Sequence, residues 1–208
     1  MEERMKVADI YTSIQGEGRF SGRPMVFVRF YGCNLNCSGC DTKLHNYVEM
    51  TIDDIVNNIN FFDLNDVLLT GGEPLIQPNI DNLIDKLTIQ GYRVHIETNG
   101  TKQLKTRSFY HVTVSPKSVQ DYSFWVGINN ADFKIVIGGG ESPALTPKQA
   151  RILVLRLLKQ GCSNERIWLM PYGANRKILS YWAKRVFNLA LLWKVNYSDR
   201  LQIRVGWR

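Results

Sequence analysis

The 208-residue chain has no apolar run long enough to cross a membrane, since a spanning helix needs about 20 predominantly apolar residues in succession. Its opening, Met1-Glu2-Glu3-Arg4, is charged and lacks the apolar stretch of a signal peptide. A cytoplasmic protein is therefore expected. No internal repeat, low-complexity segment or long linker interrupts the chain, which excludes a repeat architecture and leaves a single domain over residues 1–208. Hydrophobic residues make up 44% and charged residues 22%, so the chain does not lack the apolar material for a core and disorder is excluded. Cysteines are few. There are four, three of them within eight residues and Cys162 alone. A disulfide framework would spread cysteines through a small secreted chain, so the crowding points to metal instead. Cys162 follows Gly161 just past an expected helix and reads as a structural thiol. Acidic residues are also short, 19 against 26 Lys and Arg, for a formal net charge of +7. Much of the excess lies in Arg176, Lys177, Lys184, Arg185, Lys194, Arg200, Arg204 and Arg208. This reads as a solvated basic face, or as attraction for anions such as a carboxylate substrate, a nucleotide or nucleic acid. Net charge alone does not choose.

What is present is an alternation of strand and helix. Met25–Tyr31, Asp66–Thr70, Arg93–Glu97, His111–Ser115, Asp132–Ile137 and Arg166–Met170 are short β-branched, aromatic or apolar runs and predict strands. Thr51–Asn60 predicts a helix with Ile52, Ile55, Val56 and Ile59 on one face and a Thr51-x-x-Asp54 capping box. Ile80, Leu83, Ile84 and Leu87 mark a second helix that Gly91 can end. Pro147–Gln160 predicts a third, with Thr146 as cap, Gln149 as its partner, Gly161 as stop and Ala150, Leu153, Val154, Leu157 and Leu158 as core face. A helix through Ile178, Trp182, Val186 and Leu189 follows, and Leu201–Val205 reads as a last strand. About six such units imply an α/β fold with a parallel sheet, as a partial (β/α)6-type barrel or, second, an open doubly wound sheet.

In parallel α/β architectures ligands bind beyond the C-terminal ends of the strands. Five loops follow such ends: the cysteine loop after Tyr31, Thr70-Gly71-Gly72-Glu73-Pro74, Glu97-Thr98-Asn99-Gly100, Ser115-Pro116-Lys117 and Met170-Pro171-Tyr172-Gly173. Cys33-x-x-x-Cys37-x-x-Cys40 supplies three thiolates. Structural zinc fills four positions, and iron–sulfur clusters usually take four cysteines. Three therefore leave one iron open to a cofactor or substrate. A zinc knuckle with His45 as fourth ligand is the other reading. Glu73, Glu97, Asn99 and Lys117 on these loops are candidate ligand contacts. His95 and His111 lie in strands and read as buried, satisfied side chains with no functional role.

The Cys33/Cys37/Cys40 spacing resembles that of the radical S-adenosylmethionine superfamily. The resemblance implies a [4Fe–4S] cluster and S-adenosylmethionine, whose sulfonium is cleaved by one electron to give a 5′-deoxyadenosyl radical. Gly71-Gly72-Glu73-Pro74 resembles the superfamily's loop for the cofactor's ammonium, which implies that Glu73 and the loop carbonyls hold that group, Lys117 its carboxylate or ribose, and Glu97 and Asn99 its ribose hydroxyls. Ser13-Ile14-Gln15-Gly16-Glu17-Gly18, Arg29 and Cys40-Asp41-Thr42, continuing through the four later loops, resemble the 7-carboxy-7-deazaguanine synthase family. That likeness implies a lyase of 7-deazapurine (queuosine) biosynthesis. It would convert 6-carboxy-5,6,7,8-tetrahydropterin to 7-carboxy-7-deazaguanine and ammonia by radical ring contraction. It implies that Ile14, Gln15, Gly16, Glu17, Arg29 and Thr70 meet the pterin, and that Thr42 ligates Mg²⁺. It implies that Gly39, Asp41, Gly72, Ser115, Lys117 and the segment Met170, Pro171, Tyr172 and Gly173 line the cofactor. Expected partners are the pterin, an electron donor such as flavodoxin or ferredoxin, and a second copy in a homodimer, with no membrane or nucleic acid. The family's closing C-terminus has no match in Gly206-Trp207-Arg208. A radical activase of a glycyl-radical enzyme and a non-catalytic Fe–S or zinc module remain as alternatives.

Overall fold

In the computed structural model, residues 3–40, 42, 45–140 and 143–206 are described. The chain falls into two compact units, Met1–Ser13, Pro24–Asn36 and Thr42–Val112 forming the first and Ile14–Arg23, Cys37–Asp41 and Thr113–Arg208 the second.

The first unit is built on strands β1 (Met5–Ile14), β2 (Pro24–Phe30), β3 (Val48–Met50), β4 (Asp66–Gly71) and β5 (Arg93–Thr98), ordered β3-β1-β2-β4-β5. β2, β4 and β5 run parallel, while β1 meets β3 antiparallel. The helices α1 (Ile52–Ile59) and α2 (Ile80–Ile89) lie between strands in sequence, as the apolar spacing predicts. Thr51 and Asp54 close the expected capping box on α1, which satisfies two otherwise orphaned N–H groups. Leu83, Ile84 and Leu87 of α2 are fully buried, as are Val28, Leu69 and Val94 of the strands. β1 and β3 were not expected. β1 alternates imperfectly and carries Asp9, Thr12 and Ser13, so its period is blurred.

Strand β6 (His111–Val114) carries the chain into the second unit, which holds β7 (Ala131–Ile137), β8 (Ile167–Pro171) and β9 (Asn196–Tyr197), parallel in that order. All seven residues of β7 are buried. The short α3 (Ser123–Val126) precedes it, and Arg166 donates to the carbonyls of Trp125, Val126, Ile128 and Ala131 at 2.7–3.1 Å. That fork adds charged donors to the carbonyls at the helix end, where intrahelical partners run out. α4 (Pro147–Lys159) has its Thr146–Gln149 box and its Ala150, Leu153, Val154 and Leu157 core face, with Leu158 half-buried.

Two expectations are corrected here. α5 (Arg176–Trp193) buries Leu179, Val186 and Ala190, so of the expected face only Val186 is buried and Ile178 is exposed. Leu201–Val205 is not a strand but a short helix, α6, ended by Gly206 in the left-handed region. Its alternating Leu-Gln-Ile-Arg-Val pattern imitates a strand. The edge beside β8 is already taken by β9, and Ile203 and Arg204 N–H instead turn back to the Arg200 carbonyl.

Gly71 has φ +125°, and a Cβ there would lie 2.3 Å from the Phe30 carbonyl oxygen. A left-handed residue alone costs an L side chain about 1–2 kcal/mol, and here backbone must also move. Gly71→Ala is expected to lower unfolding free energy by about 2 kcal/mol or more, read as a shifted midpoint in urea denaturation. An unchanged midpoint would contradict the close approach.

Candidate functional site

In the first unit, Arg29 on β2 and Thr70 on β4 are register partners. The guanidinium donates to Tyr11 Oη at 2.6 Å, and its Nε is buried without a partner. A buried donor left unmade is costly, roughly 1–3 kcal/mol and more for a charged group. The half-buried guanidinium therefore keeps one donor unfilled beside Thr70. Tyr11 in turn stacks on Phe27, which fixes the pair.

Beyond Thr70 the Gly71-Gly72-Glu73 loop zips onto the head of the cysteine loop. Gly72 N–H donates to Phe30 O and Glu73 N–H to Gly32 O, each at 2.9 Å. A Cβ on Gly72 would stand 1.9 Å from Gly32 O, so only glycine allows the approach. Glu73, expected to meet the cofactor's ammonium, is 0% exposed. Its carboxylate accepts from Leu75 N–H (3.1 Å), Thr98 Oγ1 (2.7 Å) and Asn99 N–H (2.7 Å), tying the Gly71–Pro74 and Glu97–Gly100 loops together. Asn99, expected at the ribose, is also buried. Its amide donates to Asn34 Oδ1 at 3.0 Å and approaches Cys33 Sγ at 3.9 Å. Cys33 Sγ also accepts from Leu35 N–H at 3.4 Å. Glu97 and Thr42 are half-buried.

In the second unit, the 15–18 turn is clasped from afar. Gln15 is buried, its side-chain oxygen accepting from Glu17 N–H at 3.1 Å, while Ile14 beside it is exposed. The Gly16 carbonyl accepts from Leu201 N–H and Gly18 N–H donates to Ser198 Oγ. The Glu17 side chain is 11% exposed and its carboxylate is surrounded. Lys134 Nζ lies 2.6 Å from one oxygen, with Arg200 Nε at 2.9 Å and Gln202 Nε2 at 2.7 Å from the other. Burial pushes the carboxyl's pKa upward, but Lys134 and Arg200 together outweigh it and hold the group well below the usual carboxylate range. Arg200 also donates to the Gly173 carbonyl at 2.7 Å, joining the Met170–Gly173 segment to the same clasp. Met170, Pro171 and Gly173 are buried, and Tyr172 Oη reaches the Gly39 carbonyl at 3.5 Å. Lys117 donates to Ser115 Oγ at 2.7 Å.

Cys33 belongs to the first unit and Cys37 and Cys40 to the second. All four cysteines are thiols; Cys33 and Cys40 are exposed and Cys37 half-buried. Among the described residues no group of three His, Cys, Asp or Glu side chains is gathered to hold a metal ion. The donor set nevertheless fits an iron–sulfur cluster: soft thiolates, with no oxygen or imidazole among them. Asp41 and Arg208 lie outside the described residues. Cys162 is buried, and burial pushes its thiol up to about 11, as an inert structural cysteine requires.

Sequence reasoning missed Tyr11, Lys134, Arg200 and Gln202. One signal was available. Asp132 and Lys134 are the charges within the otherwise apolar run Ala131–Ile137, and a buried lysine needs a carboxylate partner.

The radical SAM superfamily model matches residues 27–123. A 7-carboxy-7-deazaguanine synthase of Hyperthermus butylicus is 32% identical over 97% of this chain and 92% of its own. A protein of the same name from Bacteroides thetaiotaomicron is 47% identical over 54% of this chain and 60% of its own. The crystal structure of QueE from Escherichia coli superposes with a TM-score of 0.72 at 22% identity, covering 95% of this chain and 94% of that one. The fold is thus the radical SAM α/β fold, the partial-barrel class expected.

The Glu17 clasp sets a pH dependence. Because the folded carboxyl is held below its ordinary value near 4.5, its stabilisation is complete above that pH and is lost as pH falls further. Glu17→Gln is expected to be less stable at pH 7 by about 3 kcal/mol, since it leaves buried Lys134 without its counter-charge. It is also expected to lose stability less steeply than the parent between about pH 5 and 3. Urea midpoints across that range check both; parallel curves would remove Glu17 as the acid-sensitive group.

Proposed function

Because the chain belongs to the 7-carboxy-7-deazaguanine synthase family of radical S-adenosylmethionine enzymes, we infer that it converts 6-carboxy-5,6,7,8-tetrahydropterin to 7-carboxy-7-deazaguanine and ammonia. The overall change is redox-neutral: the ring contracts, one nitrogen leaves as ammonia and no outside oxidant is required. The observation that carries the reading is Arg29, a fixed cationic fork with a buried, unpartnered Nε, at a strand end beside Thr70. Such a fork matches a carboxylate, which the pterin bears.

The cluster with S-adenosylmethionine supplies a hydrogen-abstracting radical when bound. Cys33, Cys37 and Cys40 would hold the cluster. Arg29 anchors the substrate carboxylate, and the Ile14–Gly16 turn and Thr70 take the pterin. Glu17 acts through the turn, with its carboxylate fixing residues 15–18. Glu73 and Asn99 likewise position backbone rather than presenting their side chains, leaving Gly72 and Glu97 on their loops toward the cofactor. Gly39, Asp41, Ser115, Lys117 and Met170–Gly173 complete its lining. Thr42 offers Mg²⁺ a hydroxyl oxygen, a ligand suited to a hard cation. No helix among the described residues is long and apolar enough to cross a membrane; the setting proposed for the enzyme is the cytoplasm. A homodimer and an external one-electron donor complete the proposal.

Anaerobic turnover of the carboxy-tetrahydropterin, with the deazapurine detected by mass spectrometry, tests the reading. Cys37→Ala is expected to lose both the cluster spectrum and turnover. Arg29→Ala should keep the cluster but raise KM about 10- to 100-fold, the size of a lost charged hydrogen bond. An unchanged KM in Arg29→Ala would remove the substrate assignment.

A further inference from the structure

We propose that the outer face of α5 is the docking surface for an acidic protein that delivers single electrons, a proposal that rests on the radical reading above. α5 contains Arg176, Lys177, Lys184 and Arg185 and no acidic residue. Arg176 and Lys177 stand in its first turn, where the helix dipole disfavours cations. Arg176 turns to the Ile203 carbonyl at 3.4 Å, whereas Lys177 is exposed, so the cationic first turn favours an anion from outside at Lys177. The same outer stripe exposes Tyr181 (76%), Leu191 (65%) and Leu192 (74%). A helix whose solvent side combines three cations with large apolar side chains has the composition of an interface centre with a charged rim.

The place suits electron delivery. α5 begins three residues after Gly173, and the neighbouring Tyr172 reaches the carbonyl of Gly39, between Cys37 and Cys40, within the same unit. A donor seated on the first turns of α5 thus sits next to the cysteine loop. Charge complementarity selects an acidic donor surface, speeding encounter in a manner that salt suppresses.

The test uses cluster-loaded full chain and a fluorescently labelled flavodoxin of net negative charge, with binding read by anisotropy at several salt concentrations. The variant carries Lys177→Glu, Lys184→Glu and Arg185→Glu together, all on the solvent side, and circular dichroism checks its fold. The expected result is a dissociation constant at least tenfold higher in the variant, with a flattened salt dependence. A second variant with Lys177→Arg, Lys184→Arg and Arg185→Lys should bind like the parent. Equal binding by the charge-reversed variant overturns the proposal. So does loss of self-association with unchanged flavodoxin binding, which would make the face a contact between two copies. Turnover driven by dithionite, which needs no docking, should be the same in parent and variant. Its absence in the parent would overturn the enzymatic reading, while the anisotropy would still decide the docking surface.

Discussion

A carboxylate removed from water must be surrounded by donors, and each unit of this protein is organised around one that is. Desolvating a charge costs several kcal/mol unless its oxygens are filled. Glu73 meets that demand with two backbone N–H groups and a threonine hydroxyl, drawn from its own loop and from the end of β5. Glu17 meets it with a lysine from β7, an arginine and a glutamine from the C-terminal segment. In both cases the donors come from separate stretches of chain, so filling the oxygens also fixes loops in place. The glycines serve the same end. Gly71 and Gly72 let one loop lie against the backbone of the next, where any side chain would collide.

The division between what the sequence discloses and what it conceals follows sequence distance. Thr51–Asp54 and Thr146–Gln149 are legible because a capping box needs only residues three apart. The cysteine loop and the glycine pair are legible because their chemistry is packed into a few consecutive positions. The strands β2, β4, β5, β7 and β8 show themselves by near-continuous burial, complete in β7, since a parallel strand covered on both faces need not alternate. The buried face of α5 departs from the expected one at Leu179 and Ala190 because its outer side also carries large apolar groups, which blurs the periodicity that marks a core face.

The partners of Glu17 are concealed for the opposite reason. Lys134, Arg200 and Gln202 lie 117, 183 and 185 residues away from it. Nothing local requires them to converge. Glu17 itself, read alone, is a polar turn residue between two glycines that invites a ligand. Only burial shows that its oxygens are already in use. The same holds for Glu73 and Asn99, whose positions in ligand-facing loops suggested direct contact but whose side chains turn inward to hold the backbone.

That inward turn has a chemical logic. A carboxylate facing a bound cofactor must exchange water for ligand at every cycle, and its protonation follows the ligand's charge. A carboxylate already saturated by Lys134 and Arg200 stays ionised far below neutrality and has no such exchange to make. Hydrogen abstraction requires the reacting carbon to be held within a narrow distance of the radical, with other hydrogen donors excluded. Turns fixed by permanent internal charge pairs keep their geometry whether or not a ligand is present. Among the described residues Arg29 keeps a buried donor unfilled, the group that the proposal assigns to the substrate. Positioning and binding thus fall to different charges in the proposed reading: saturated carboxylates hold the loops within each unit, and an unfilled guanidinium donor is left for the ligand.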